Sequence, residues 1–79
     1  MFIELFGENP IGRRVVLAQR LFDVTGLPGM ECLQLSTDLF LGWYTRANPK
    51  TLLVGSPDKI LALDEICKEC NITLRIIER

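Results

Sequence analysis

The residues best suited by type and spacing to chemistry are Cys67 and Cys70, a C-x-x-C of the kind used by redox dithiols and by half of a zinc site. A tetrahedral zinc site needs four ligands, and the chain has no histidine, so Cys32 or a second copy of the chain would have to complete it. Redox chemistry is opposed by position. Both cysteines fall in the last turns of a helical pattern, where the backbone dipole disfavours a thiolate, and they share a face with Ile60 and Leu63. They read as small buried hydrophobes. Ser36, Thr37 and Ser56 have no histidine to act as their base, so the reading assigns no catalytic residue, no metal and no cofactor.

A second candidate is an anion site. Gly7-Glu8-Asn9-Pro10 and Gly55-Ser56-Pro57-Asp58 share one grammar: a glycine turn, a capping side chain, and a proline at the first helical position, where its missing N–H costs nothing. Free N–H groups at such a helix start, helped by guanidinium charge, can hold an anion; the residues concerned are Gly7, Asn9, Gly12, Arg13, Arg14, Gly55 and Ser56. Neither the Walker spacing nor G-x-G-x-x-G is present, Glu8 and Asp58 oppose the charge, and ordinary helix caps use the same residue types.

A third candidate is a surface. Phe2, Phe6 and Tyr44 are aromatic residues in strand-like segments, Arg75 accompanies them, and Leu17 and Val24 lie off the main apolar stripe of the first helix. Surplus apolar surface of this kind points to a protein partner or to a homo-oligomer. With nine Lys plus Arg against ten Asp plus Glu, the net charge of -1 offers no general attraction to nucleic acid or anionic lipid. Base stacking on an exposed sheet, as in RNA-recognition domains, is therefore the weakest of the binding readings, and the aromatic strand motif of those domains is absent.

The elements that must position these residues follow from periodicity. Met1 to Phe6 alternates with period two and predicts a strand. A helix follows from Pro10, with Ile11, Val15, Ala18 and Phe22 on the core face and Leu21 beside them; Val16, Leu17 and Val24 widen its apolar circumference and suggest a second contact. Thr25-Gly26-Leu27-Pro28-Gly29 ends it. Met30 to Leu35 reads as a second strand, and Leu39 to Thr45 as a further strand or, alternatively, a short helix. Thr51 to Val54 suits a buried strand, Pro57 to Cys70 a helix with Ile60, Leu63, Ile66, Cys67 and Cys70 inward and Leu61 outward, Asn71 a C-terminal cap, and Ile72 to Ile77 a last strand.

That order predicts an α+β, two-layer, ferredoxin-like βαββαβ sandwich comprising one domain, residues 1–79, with one extra strand or short helix around 39–46. In this arrangement the first strand and the strand before the second helix lie side by side and parallel, which brings both glycine turns to one sheet edge. The open face would carry Phe2, Glu4, Phe6, Thr73, Arg75 and Ile77. The order of elements resembles that of ACT domains, small regulatory ligand-binding modules, a likeness of topology that implies no particular site residue. No membrane-spanning or signal segment is evident, and three cysteines without framework spacing fit a reducing compartment, so a cytoplasmic location is expected. The expected function is a non-enzymatic interaction module that self-associates or docks a protein through its open sheet face. A sensor of an anionic metabolite or nucleotide at the two helix N-termini, and an RNA-binding domain, are the alternatives.

Overall fold

The computed structural model describes residues 1–77. It contains β1 (Phe2–Phe6), α1 (Arg14–Thr25), α2 (Gly29–Phe40), β2 (Lys50–Leu53), α3 (Ile60–Glu69), entered through a single 3-10 turn at Pro57–Lys59, and β3 (Thr73–Ile77). The fold is α+β, with β1 central in an antiparallel sheet of order β2-β1-β3. The order β-α-α-β-α-β differs from the expected βαββαβ, and the likeness to ACT domains, which rested on that order, lapses with it.

The difference lies in one segment. Met30 to Leu35 is helical, not extended, because the buried residues Cys32, Leu35, Ser36 and Leu39 recur at i, i+3, i+4 and i+7. Pro28 stands immediately before this helix, so the Gly26-Leu27-Pro28-Gly29 punctuation ends one helix and starts the next. Leu39 and Phe40 close α2, and residues 41–46 form a loop whose only β-bridge among the described residues joins Thr45 to Asn48. Neither the strand nor the separate short helix expected at 39–46 forms there.

Period two governs β1 as expected, whereas β2, expected to be buried on both faces, leaves Leu53 exposed, and Ile76, expected on the apolar face of β3, is exposed as well. Ile3 and Leu5 are buried on the helix side, with Leu52 opposite Ile3, while Phe2, Glu4 and Phe6 share the other face with Thr51, Leu53, Thr73, Arg75 and Ile77. The helices cover the first face, and one apolar cluster joins Ile3 and Leu5 to Leu17, Leu21 and Val24 of α1, Cys32, Leu35 and Leu39 of α2, and Leu63, Ile66 and Cys67 of α3. Because β1 and β2 run antiparallel, with Phe2 opposite Leu53 and Leu5 opposite Lys50, the expected parallel pairing is not formed.

In α1 the buried face is rotated relative to the expected one: Ala18 and Leu21 stay inside as expected, while their neighbours change sides. The helix begins at Arg14, four residues later than expected, and buries Leu17, Ala18, Leu21 and Val24. Ile11, Val15 and Phe22 are exposed, Phe22 at 51%. Leu17 and Val24, assigned above to an outer contact, have no exposed surface at all. Hydrogen bonding accounts for the late start. The Ile11 N–H donates to the carbonyl of Cys70 (3.0 Å), and the Asn71 side-chain amide donates to the Asn9 carbonyl (3.3 Å). Residues 9–11 thus satisfy the C-terminal end of α3, whose carbonyls have no intrahelical partner, instead of coiling into α1.

The helix ends follow the sequence more closely. Gly26 adopts φ 72° and donates its N–H to the Phe22 carbonyl at 2.9 Å. Asn71 takes φ 61° after α3, with Asn71 N–H to Lys68 carbonyl at 3.2 Å and Ile72 N–H to Cys67 carbonyl at 2.8 Å, the paired bonds of a Schellman ending. Pro57 opens the helical segment as expected, but no side-chain cap hydrogen bond is made by Ser56.

Candidate functional site

The antiparallel sheet separates the two glycine turns. Gly7 follows Phe6 at one end of β1, and Gly55 follows β2 beside Met1 at the other, where the Val54 N–H donates to the Met1 carbonyl at 3.0 Å. At the rise of an extended chain this is roughly 20 Å. The N–H groups of Gly55 and Ser56 both donate to the Val24 carbonyl, at 2.8 and 2.9 Å, which closes the end of α1 and leaves neither for a ligand. In the other turn the Gly7 N–H donates to the Tyr44 carbonyl (3.1 Å), and Arg13 pairs with Glu69 (3.1 Å). Asn9 makes no cap for α1, and the N-cap residue is Arg13, without a side-chain hydrogen bond. The seven residues proposed for a paired anion site therefore do not converge. Asn9, Gly12 and Arg13 serve the junction with α3, Gly7 bonds the loop at Tyr44, Gly55 and Ser56 serve the junction with α1, and Arg14 is the exposed first residue of α1.

On the open sheet face, Phe6 is 3% exposed. The guanidinium carbons of Arg46 and Arg75 lie 5.2 and 5.1 Å from its ring centre, and Arg75 also pairs with Glu4 at 3.2 Å. The Phe6 ring is therefore covered by the chain's own cations. Tyr44, half-buried, holds Lys50 5.9 Å from its ring centre. Phe2 is half-buried, and Leu53 opposite it is exposed.

The three cysteines are free and fully buried. Burial, with the Asp64 carboxylate adding to it, pushes the Cys67 thiol up to about 12 from its ordinary 9.0. Burial likewise raises Cys32, partly offset by its contact with the Thr25 hydroxyl. Thiols held protonated in this way are poor nucleophiles and poor ligands. No group of three or more Cys, Asp or Glu side chains among the described residues is placed to hold a metal ion.

The surface that does stand out joins α1 to α2. Val15, Ala18, Gln19 and Phe22 on α1 face Gly29 and Leu33 on α2 across an open groove of about 580 Å³, rimmed by Arg20 and Asp23. Its floor is open because Ala18 and Gly29 carry little or no side chain there; a methyl group built on Gly29 would meet nothing within 4 Å. Its walls are apolar and exposed, and Met30, next to Gly29, is 82% exposed. The Arg20–Asp23 pair (3.5 Å) neutralises the rim. Four large apolar side chains on two adjoining helices form a patch of a kind that monomeric proteins seldom leave in water. In the sequence this surface shows as the stripe Ile11, Val15, Ala18 and Phe22, whose periodicity predicts a core face and of which Ala18 alone is buried.

No family model, no curated protein and no solved structure matches the chain.

Proposed function

We propose that the protein is a non-enzymatic interaction module that binds an apolar segment of another protein in the groove between α1 and α2. The observation that carries this reading is the exposure of Val15, Phe22 and Leu33 around a floor made of Ala18 and Gly29. Covering half-exposed side chains of this size contributes on the order of 1 kcal/mol each, which only partly offsets the cost of association, so the partner's own apolar side chains seated in the groove supply the rest of the affinity. The open floor admits the ridge of a helix or an extended segment bearing bulky side chains. Self-association through the same groove is the competing occupant. The buried free thiols fit a reducing compartment such as the cytoplasm. No helix of the described residues is long and apolar enough to cross a membrane.

The test is retention on immobilised protein, comparing wild type with a Val15→Glu, Leu33→Glu double variant whose folding is checked by circular dichroism. A partner retained by wild type and lost from the folded double variant supports the reading. Equal retention by both counts against it. Light scattering on wild type separates a heterologous complex from a homodimer, which would have twice the 9.0 kDa mass of the chain.

A further inference from the structure

We infer that the Phe6 end of the sheet binds an oxyanion, the phosphoryl or carboxylate group of a ligand, against Arg46. Four cations of the described residues are paired with carboxylates: Arg13 with Glu69, Arg20 with Asp23, Lys68 with Asp64, and Arg75 with Glu4, at 3.1 to 3.5 Å. Arg46 and Lys50 have no ion pair among the described residues, yet both side chains are held in place. Arg46 rests over Phe6 at 5.2 Å from the ring centre, beside Arg75 at 5.1 Å, and Lys50 rests 5.9 Å from the centre of Tyr44. Three cations thus gather on two aromatic rings, while one of the two nearby acids, Glu4, is committed to Arg75.

Beside Arg46 the surface dips into a polar concavity of about 200 Å³ lined by Phe6, Gly7, Glu8, Arg46, Asn71 and Thr73. Its size suits a single oxyanion group. The Thr73 hydroxyl has no hydrogen-bond partner among the described residues, and the Asn71 amide spends one N–H on the Asn9 carbonyl, leaving the second. A guanidinium already docked on a ring loses less rotamer freedom on binding than a free one, and its fork matches the two oxygens of a phosphoryl or carboxylate group. Glu8 works against the site, since it lines the same concavity and forms no ion pair with Arg46. That opposition gives the inference a sign: removing the Glu8 charge should strengthen binding, and removing Arg46 should weaken it.

The experiment is a titration of 15N-labelled protein with inorganic phosphate and, separately, with acetate, at an ionic strength fixed with sodium chloride. The amide signals of Gly7, Asn71 and Thr73 are followed in wild type, Arg46→Gln, Arg46→Lys and Glu8→Gln. Saturable shifts confined to these residues are expected, with affinity lowered about tenfold in Arg46→Gln, less in Arg46→Lys, and raised about threefold in Glu8→Gln. Tighter binding of phosphate assigns the site to phosphoryl groups, and tighter binding of acetate assigns it to carboxylates. Non-saturating shifts spread over the surface, or saturation that is the same in wild type, Arg46→Gln and Glu8→Gln, would overturn the inference. Glu8 is exposed, so the result of Glu8→Gln stands even if Arg46→Gln loosens the cover over Phe6.

Discussion

Ser36 ties two helices together with one hydroxyl. It is completely buried in α2, and its Oγ donates to the Arg14 carbonyl in the first turn of α1 at 2.7 Å. Ser36→Ala should cost about 1 kcal/mol in urea denaturation, the net worth of a buried neutral hydrogen bond; an unchanged midpoint would mean that packing alone sets the pair of helices. Cys67 makes a second prediction at this scale. Its folded-state value near 12 lies above the ordinary 9.0, so below pH 9 the thiol is protonated in both folded and unfolded chains and has no effect on stability. As pH rises from about 9 to about 12 the unfolded chain ionises while the folded chain does not, and stability should fall by up to roughly 1.4 kcal/mol per pH unit from this group. The same burial predicts that iodoacetamide at pH 8 labels Cys67 slowly in the native protein and rapidly in urea. Rapid native labelling would show that the thiol is accessible.

At the scale of elements, the sequence was legible where a local signal had only one structural meaning. The alternation of Phe2 to Phe6, the inward set Leu63, Ile66, Cys67 and Cys70, the outward Leu61 and the capping residues Gly26 and Asn71 all stand where periodicity and cap chemistry place them. Gly26→Ala should therefore cost about 1 kcal/mol, because alanine is strained at φ 72°. Gly29→Ala, in the first turn of α2, should stabilise by a few tenths of a kcal/mol to about 1. Opposite signs in thermal melts would bear out the two helix boundaries. Two elements were misread, and both errors arose from tertiary demands that local patterns do not carry. Met30 to Leu35, read alone, was taken for an apolar strand, and only its continuation through Ser36 and Leu39 reveals the helical spacing. In α1, apolar residues occupy both sides of the helix, and the choice of inner side was made by packing against α2 and by the diversion of residues 9–11 to the end of α3. The candidate sites inherited these errors. Leu17 and Val24 moved into the core, Val15 and Phe22 moved out, and the antiparallel sheet pulled the Gly7 and Gly55 turns apart.

At the scale of the whole molecule, sheet and helices enclose one apolar cluster, and its outer surfaces include a cation-covered end of the sheet and an apolar groove between α1 and α2. The groove residues are exposed, so Val15→Glu with Leu33→Glu should leave stability within about 1 kcal/mol of wild type while abolishing binding at the groove. A large loss of stability would mean that these side chains serve the fold. The most direct measurement is site-specific photo-crosslinking in a lysate of the source organism, with a benzophenone side chain placed at Phe22 and, in a separate sample, at Leu61, which is exposed on α3 away from the groove. The account predicts a discrete adduct with another protein from position 22, absent from position 61 and lost when Leu33→Glu is added. Adducts that are the same at both positions, or none at position 22, would contradict it.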